Sequence, residues 1–449
     1  MTTTPNTWLE GNFAPVTEEV TALDLEVTGS IPPELEGRYL RNGPNPVEPV
    51  DPASYHWFTG SGMVHGIRLR DGRAEWYRNR WVRSPDVAAA LGEPAPPSPY
   101  ADDVGIFSAN TNVIGLAGTT LAIVEAGAPP IELGYELDTV GPTDLGGTLQ
   151  HPFSAHPKRD PRTGELFVVT YWWGWGNQLR YLVVSPEGRV THQVDVPVPG
   201  GPMVHDTAIT ETYALLFDLP CTFDLDAAMG GASLPYRWNP GYGARVGLIP
   251  RLGSADDVQW FEVEECYVFH PLNAYDTPDG KVVVDLVRWP KMFDEVVLGP
   301  AEGPTRLERW TIDPAAGKVL EETLDDRSSE FPRHDERLLG RQHRYGYAAS
   351  VVPPFDHGAG FKHDLVAGTT EVHDFGRGRE GGELVFVPRA DDAAEDDGWL
   401  LTLVYDQAED RSDLVILPAQ DFTAEPVATV QLPQRVPYGF HGNWVPDGK

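Results

Sequence analysis

Cysteine is scarce in this chain of 449 residues, which contains only Cys221 and Cys266. One disulfide would be a weak framework for a chain of this length, and neither cysteine has a partner at the spacing of a metal site. We therefore expect two reduced thiols and no structural metal bound through cysteine.

Long apolar runs are also missing. No stretch approaches the roughly 18 consecutive apolar residues that a membrane-spanning helix needs. The opening segment, MTTTPNTWLEGNF, lacks the basic flank and the apolar centre of a secretory signal. From these absences we expect no transmembrane segment and a cytoplasmic location.

Basic residues are few compared with acidic ones: 34 Lys and Arg face 67 Asp and Glu, for a net charge of -33. A surface this negative repels phosphate groups, which argues against nucleic acid as a partner and against electrostatic docking to anionic lipid. An exposed apolar patch would still allow peripheral contact with a lipid surface.

Helical signals are rare, and the best are SPDVAAALGE (84–93) and LDAAMGG (225–231). Short runs rich in β-branched and aromatic residues dominate instead, and their length is that of strands. These runs are TLAIVEAG, GELFVVTYW, LRYLVVS, YALLFDL, KVVVDLVRW, WLLTLVYD and DLVILPA.

Turn segments of one style separate several of these runs. In each, Pro sets the first turn dihedral and Gly takes a positive φ, which predicts a hairpin. The segments are DPRTGE (160–165), SPEGR (185–189), TPDGK (277–281) and DPAAGK (313–318). The 46 glycines and 42 prolines are spread along the chain and not gathered in a linker. One large all-β architecture is therefore predicted, and a β-propeller accommodates this length more naturally than a sandwich.

Four of the 13 histidines lie at the edges of strand-like runs, beside Pro, Gly or Asp. They are far apart in the chain, unlike the paired histidines of a local HExxH site. This spacing suits a propeller that aims one side chain per sheet at its axis, although a structural role for each remains the alternative. The four are His156 in FSAHPKR, His205 in GPMVHDT, His270 in CYVFHPL and His441 in YGFHGNW.

A site made of neutral imidazoles suits iron, copper, zinc or nickel, and spacing does not choose among them. Metal-bound imidazoles need carboxylates behind them to fix their tautomer. Glu125 in AIVEAG, Glu330 in SSEFPR and Glu383 in GGELVFVPR lie beside strands and are candidates for this role.

Several longer motifs carry a resemblance to a known family. In order they are IPPELEGRYLRNGPNP (31–46), HWFTGSGMVHGIRL (56–69), NTNVIGLAGTTLAIVEAG (110–127), AHPKRDPRTGE (155–165), MVHDTAITETY (203–213), FHPLNAYD (269–276), EFPR (330–333), ELVFVPR (383–389) and GFHGNW (439–444). With these motifs the chain resembles the carotenoid cleavage oxygenases, which also include stilbene-cleaving enzymes. The resemblance runs from about residue 30 to the C-terminus.

The resemblance implies an all-β fold, a seven-bladed β-propeller with a cap of loops and short helices over an axial iron site. The chain would be one domain, 1–449, with an extension over 1–29 and the family-like region over 30–449. It also implies Fe(2+) bound by His156, His205, His270 and His441.

The same resemblance assigns the outer residues of this site. Glu125, Glu330 and Glu383 would accept hydrogen bonds from His205, His270 and His441 respectively, whereas His156 would have no such carboxylate. The methyl group of Thr111 would partly close one face of the iron. Val124, Phe269, Phe331 and Trp173 would face the substrate cavity.

The implied reaction is oxidative cleavage of a C=C bond by O₂ to give two carbonyl products, on a small hydrophobic alkene. Stilbene-cleaving members place a Lys directly before the glutamate, together with an upstream Tyr, to hold a phenol oxygen. Here that position is Val124, and the nearest candidate for the Tyr is Tyr100. An apolar residue leaves no charged anchor for a phenol, which favours a carotenoid or apocarotenoid over a hydroxystilbene.

Three alternatives stay open. The same iron chemistry on a stilbene or phenylpropene would be supported by a Lys at position 124, which is absent. An isomerohydrolase-like member would use the iron as a Lewis acid and would not require O₂. A propeller scaffold without catalysis would bind no stoichiometric iron and would tolerate loss of the four histidines.

The motif HWFTGSGMVHG also departs from the family. We expect structural roles for His56 and His65. Thr59 and Ser61 stand where the family often has acidic residues, and we expect them to lie away from the chemistry.

Overall fold

Strands make up most of the regular structure. The computed structural model describes residues 6–100, 105, 107–352 and 356–447. Its strands begin with β1 (Thr21–Leu23), β2 (Val27–Gly29), β3 (Gly37–Pro44), β4 (Gly62–Arg70), β5 (Arg73–Trp81), β6 (Asn112–Leu116), β7 (Thr119–Ile123), β8 (Ile131–Leu133), β9 (Thr139–Pro142), β10 (Lys158–Arg159), β11 (Leu166–Tyr171), β12 (Gln178–Val184) and β13 (Val190–Pro197).

The remaining strands follow without a long helical interruption. They are β14 (Ala208–Ile209), β15 (Tyr213–Asp218), β16 (Cys221–Phe223), β17 (Tyr236–Trp238), β18 (Arg245–Pro250), β19 (Gln259–Glu262), β20 (Tyr267–Asp276), β21 (Val282–Trp289), β22 (Arg306–Asp313), β23 (Lys318–Asp325), β24 (Ser329–Arg333), β25 (Tyr345–Val352), β26 (Asp356–Asp364), β27 (Thr369–His373), β28 (Arg379–Gly381), β29 (Val385–Pro388), β30 (Gly398–Asp406), β31 (Arg411–Pro418), β32 (Ala428–Gln431) and β33 (Gly442–Pro446).

The strands pair antiparallel in small sheets that mostly follow chain order. Four sheets have four strands each: β6-β7-β8-β9, β10-β11-β12-β13, β14-β15-β18-β19 and β20-β21-β22-β23. A fifth sheet has the order β1-β5-β4-β3-β33, and β16 pairs with β17. The largest sheet runs β2-β32-β31-β30-β28-β26-β25-β24, with β27 on β26 and β29 on β30.

The hairpins predicted from turn chemistry are confirmed. The four turn segments join β10 to β11, β12 to β13, β20 to β21 and β22 to β23, and each pair is antiparallel. Each turn carries its glycine at positive φ, where a side chain would be strained. These glycines are Gly164, Gly188, Gly280 and Gly317.

Helices are short, and both predicted ones are confirmed as α1 (Pro85–Ala90) and α2 (Leu225–Met229). The other helical turns are 3-10 turns at Thr7–Leu9, Gly11–Phe13, Trp57–Thr59, Trp173–Trp175, Ala255–Asp257, Glu336–Leu338 and Ala419–Asp421. No helix in the described part of the chain is both long and apolar enough to cross a membrane. Cys221 and Cys266 are buried free thiols, as expected.

Burial is greatest in the middle strands and lower in several of the edge strands. Every residue of β11 is buried, and so are all residues of β20 but its last. The outer strand β13 instead alternates between half-buried and exposed positions over most of its length. Inner strands therefore read as continuous apolar runs because side chains on both of their faces are covered.

The C-terminal strand closes the fold against an N-terminal one. β33 pairs with β3, with Arg41 opposite Gly442, and the Asn42 N–H donates to the His441 carbonyl at 2.9 Å. The His441 N–H in turn donates to the Thr111 carbonyl at 3.1 Å. The C-terminal segment is thus ordered on both sides of His441.

A close backbone contact at this junction gives a test. A Cβ added at Gly43 would lie 2.7 Å from the Gly439 Cα, which leaves no room for a methyl group. We expect Gly43→Ala to destabilise the protein by about 1–3 kcal/mol through overpacking. A lower midpoint in denaturant unfolding would show it. Gly134→Ala is the control, since its Cβ would meet nothing closer than 3.6 Å. Equal midpoints for the two variants would contradict the prediction.

Candidate metal centre

Four buried imidazoles meet at one point. The Nε2 atom of His205 lies 2.9 Å from that of His156 and 3.1 Å from that of His270. The Nε2 atoms of His270 and His441 are 3.1 Å apart. Four ligand nitrogens, one from each histidine, all lie within 4.8 Å of one another.

Each histidine reaches this point from a different sheet. His156 lies just before β10, His205 just before β14 and His441 directly before β33, whereas His270 lies within β20. These strands belong to four separate sheets. Residues remote in the chain therefore converge only because the sheets are arranged around them.

Three of the imidazoles are held from behind by carboxylates, in the predicted pairs. The Nδ1 atoms of the histidines lie at hydrogen-bond distance from carboxylate oxygens. The pairs are His205 with Glu125 at 2.6 Å, His270 with Glu330 at 2.6 Å and His441 with Glu383 at 3.0 Å.

Two of these carboxylates are themselves fixed by further donors. The Trp289 Nε1–H donates to Glu330 Oε1 at 2.7 Å, and the Phe331 N–H donates to Glu330 Oε2 at 2.6 Å. The Gly442 N–H donates to Glu383 Oε2 at 2.7 Å. Burial alone would raise the pKa of Glu383, but Arg333 and His441 outweigh it and lower the pKa to about 2. This carboxylate is therefore an acceptor over the whole neutral range.

These hydrogen bonds decide what the centre can bind. An ionised carboxylate only accepts, so each paired Nδ1 must carry the proton. The Nε2 atom of such a neutral imidazole is then a bare lone pair, and lone pairs about 3 Å apart repel one another unless a cation lies between them. Nitrogens bound at about 2.1 Å and at right angles around one ion also lie about 3 Å apart. The residues thus fit a divalent metal ion.

Lowered pKa values keep three of the four imidazoles neutral, as metal binding requires. Burial, together with neighbouring imidazoles, lowers the pKa of His156, and burial lowers those of His270 and His441 despite their carboxylates. For His205, burial also acts downward, but Glu125 outweighs it and the pKa is raised. A proton on His205 is therefore the main competitor of a metal ion.

His156 differs from the other three. No carboxylate in the described structure lies within hydrogen-bond distance of its Nδ1 atom. A carboxylate is nevertheless nearby, because Asp206 Oδ2 lies 3.7 Å from His156 Nδ1. This residue directly follows His205 and was not singled out from the sequence.

An apolar cavity of about 330 Å³ opens beside the histidines. Its wall contains the four residues predicted to face the substrate, Val124, Trp173, Phe269 and Phe331, and also contains Thr111. Trp173 is 55% exposed and thus lies towards the outside.

Phenylalanine rings in this wall also pack on the imidazoles. The ring of Phe269 meets that of His205 edge to face, with centroids 5.2 Å apart. The Phe331 ring lies 5.5 Å from His270 and 5.4 Å from His441. The apolar wall therefore reaches the metal centre itself.

Thr111 lies in the cavity wall and is also hydrogen-bonded to the backbone of His441. Its hydroxyl donates to Asn110 Oδ1 at 2.9 Å, and its carbonyl accepts from the His441 N–H. Because the hydroxyl is engaged by Asn110, the methyl group is the free apolar part of this side chain.

A second cavity of about 570 Å³ is more polar and is lined by His156, Lys158 and Asp206 among others. Its lining shares only His270, Phe331 and His441 with that of the apolar cavity. The metal centre thus lies between an apolar and a polar cavity.

Sequence reasoning missed part of the apolar wall. Thr59 and Ser61, expected away from the chemistry, line the cavity together with Phe58. The aromatic content of HWFTG was the available signal. His56 and His65 do have structural contacts: His56 Nδ1 accepts from the Phe58 N–H at 3.0 Å, and His65 Nδ1 lies 2.8 Å from the Tyr77 hydroxyl.

Tyr100, the candidate phenol anchor, is not in the described wall of the cavity, and its hydroxyl donates to the Thr143 carbonyl at 3.1 Å. The cavity instead presents Tyr171. Burial and the nearby charge of Glu125 raise the pKa of Tyr171, so its hydroxyl is a neutral donor.

Comparison with known proteins decides the family. The model of the retinal pigment epithelial membrane protein (RPE65) family matches residues 13–446. A carotenoid cleavage oxygenase of Mycobacterium tuberculosis is 48% identical, over 98% of each chain. The chain belongs to the carotenoid cleavage oxygenase family.

Solved structures of family members have the same fold. Lignostilbene dioxygenase from Pseudomonas brassicacearum is 30% identical with a TM-score of 0.88, over 98% of each chain. Cobalt-substituted Synechocystis apocarotenoid oxygenase is 31% identical with a TM-score of 0.86, over 96% of this chain and 97% of that one. Both the sequence and the fold therefore support membership of this family.

The raised pKa of His205 predicts a pH dependence of metal binding. Below that pKa a metal ion must displace a proton, so apparent Co(II) affinity should fall as pH decreases, and the fall should begin above the ordinary histidine value of about 6.5. Competition with a chelator would measure it. Glu125→Gln removes the charge that raises the pKa and should move the fall to lower pH. Affinity that is flat across this range would contradict the assignment.

Proposed function

We propose that this protein is a non-haem Fe(2+) dioxygenase that cleaves a C=C bond of a carotenoid or apocarotenoid with O₂ to give two carbonyl products. One observation carries the proposal. Three of the four histidines line an apolar cavity, and its described lining contains no Lys or Arg. Such a cavity holds an extended hydrocarbon beside a metal ion.

The four Nε2 atoms would hold the iron, and Glu125, Glu330 and Glu383 would hold the imidazoles. Bound ferrous iron supplies the redox chemistry by which O₂ reacts with an alkene, which a redox-inert ion such as zinc does not. Neutral imidazoles leave the charge of the ion unreduced.

The protein's own residues position the alkene and exclude water. The Phe58 ring lies 5.8 Å from Phe269 and 5.4 Å from Phe440, which gives a continuous aromatic wall. Holding a rigid polyene in one register places one double bond at the centre. Both oxygen atoms end on the two alkene carbons and no proton is transferred. This agrees with a wall in which Glu125 and Glu330 are already committed to His205 and His270.

The charges around the cavity favour a polyene over a phenol. Its described lining includes the carboxylates Asp86, Glu125 and Glu330, which repel a phenolate. Val124 occupies the position next to Glu125 and offers only apolar surface. A carotenoid chain requires no charged anchor.

A hydroxystilbene or phenylpropene is the second candidate. The observation that favours it is the neutral hydroxyl of Tyr171 in the cavity wall, which could hydrogen-bond a phenol. The match to lignostilbene dioxygenase over almost the whole chain points the same way.

We also propose that the sheets form the seven blades of a propeller. The largest sheet is joined at β26 and β28 by a single described pair, Gly358 with Gly381, and divides there into two units. Together with the five-stranded sheet and the four four-stranded sheets this makes seven units. Each unit then supplies one group to the centre. In chain order these groups are Glu125, His156, His205, His270, Glu330, Glu383 and His441.

Exposed aromatic groups at the cavity support peripheral contact with lipid. Phe107 and Trp173 line the cavity and are 53% and 55% exposed. A polyene taken from a lipid surface could enter past them. The cytoplasmic location remains a prediction.

A product assay tests the reaction. Fe(2+)-loaded protein would be incubated separately with an apocarotenoid and a 4-hydroxystilbene under ¹⁸O₂, and the products identified by mass spectrometry. We expect two labelled carbonyl products from the apocarotenoid, whose lengths locate the cut bond. Turnover without O₂ would contradict the dioxygenase, and cleavage of the stilbene alone would contradict the substrate class.

A single substitution tests the role of Val124. Val124→Lys places a cation in the apolar wall, and we expect the KM for an apocarotenoid to rise about tenfold or more, since a charged side chain loses part of its hydration when an apolar substrate binds beside it. The KM for a 4-hydroxystilbene should fall, because the cation can pair with the phenolate. Val124→Leu is the size-matched control and should leave both values near those of the wild type. Equal changes for both substrates would contradict a role in selecting between them.

A further inference from the structure

The four imidazoles are not held alike. The Nδ1 atoms of three lie within 2.6–3.0 Å of a glutamate oxygen. The Nδ1 atom of His156 lies 3.7 Å from Asp206 Oδ2, which is too long for a hydrogen bond. Since each of the seven proposed units already supplies one group, a carboxylate for His156 would be a second group from one of them. Asp206 is such a group, because it directly follows His205.

The Asp206 carboxylate is held in place by two donors. Its Oδ1 atom accepts from the Thr207 N–H at 2.6 Å, and its Oδ2 atom accepts from Lys158 Nζ at 2.8 Å. The Asp206 side chain is 2% exposed and that of Lys158 is 18% exposed. Lys158 lies two residues after His156, so the ion pair joins the chain segments that carry two of the ligands.

Lys158 donates a hydrogen bond to the Asp206 oxygen that would otherwise accept one from His156. Asp206 Oδ2 lies 3.7 Å from His156 Nδ1, and the same oxygen accepts from the Lys158 ammonium group at 2.8 Å. The positive charge of Lys158 also offsets the charge that Asp206 presents to the imidazole. A carboxylate that accepts the far N–H makes a histidine a stronger ligand. Support of the imidazole by a carboxylate is therefore weaker for His156 than for the other three histidines.

We propose that Asp206 is the positioning carboxylate of His156, and that Lys158 holds it back so that His156 is the most weakly supported of the four ligands. This inference rests on the proposed metal site and adds an eighth and a ninth residue to it. It also assigns a role to an ion pair whose two side chains line the polar cavity and are not in the described lining of the apolar cavity.

The simplest alternative is an ion pair that only ties two neighbouring sheets together. The two interpretations predict opposite effects on metal binding when Lys158 is removed. If the pair were only structural, loss of either partner would act in the same direction. If Lys158 holds Asp206 back, loss of the carboxylate weakens the His156 ligand, whereas loss of the ammonium group releases the carboxylate to it.

The test is Co(II) binding by the full-length protein, measured by competition with a chelator and by the visible ligand-field spectrum of the bound ion. Asp206→Asn keeps the shape and removes the charge, and we expect affinity to fall by about 10- to 100-fold. Lys158→Met should bind Co(II) at least as tightly as the wild type, with a shifted spectrum. Lys158→Arg retains the cation and should restore the wild-type spectrum.

Asp218→Asn is the matched control. Asp218 is a fully buried aspartate that accepts from Arg245 Nε at 2.8 Å and from the Tyr242 hydroxyl at 2.7 Å, outside the metal centre. Its loss should lower thermal stability and leave Co(II) affinity unchanged. If Lys158→Met does not fold, the comparison of Asp206→Asn with Asp218→Asn still decides whether Asp206 acts on the metal.

Two results would overturn the inference: Asp206→Asn with wild-type affinity and spectrum, or equal losses of affinity in Asp206→Asn and Lys158→Met. Either would leave the metal site standing, because the wild type would still bind Co(II). Failure of the wild type to bind Co(II) would instead overturn the metal site itself.

Discussion

The hydrogen bond between an imidazole Nδ1–H and a buried carboxylate is the interaction on which this structure depends. Glu125, Glu330 and Glu383 each accept one, at 2.6, 2.6 and 3.0 Å. Because the carboxylate fixes the proton on Nδ1, it turns the Nε2 lone pair towards the other imidazoles. The lone pairs can be kept together only by a cation. The same carboxylates would place negative charge around a bound cation.

This arrangement dictates the architecture. A local motif supplies two or three ligands from one segment. Here the four histidines come from four separate sheets, so the centre is only as well defined as the contacts between those sheets. The pairing of β33 with β3 and the hydrogen bonds on both sides of His441 attach this ligand to the sheet that contains the N-terminal strands β1, β3, β4 and β5.

Much of the fold and of the candidate site could be predicted from the sequence, but for different reasons. The hairpins follow from local turn chemistry, as in TPDGK, where Gly280 has a φ of 82°. The histidines and glutamates follow from family motifs, position by position. The contact of Asp206 with His156 could not be found in this way, because Asp206 belongs to the motif of His205 and meets His156 only across two sheets. The positions of Thr59 and Ser61 in the cavity wall likewise depend on where their segment folds.

The inner and outer parts of the apolar cavity wall differ in how readily their side chains can be substituted. Phe269 packs on His205, and Phe331 packs on His270 and His441, so these rings hold ligands as well as substrate. A substitution there alters the metal centre together with the cavity. Trp173 lies further out and is 55% exposed, without a ring contact to any of the four histidines. Differences in substrate among proteins that share this centre are therefore easiest to accommodate at outer positions, where a side chain can change while the four imidazoles stay in place.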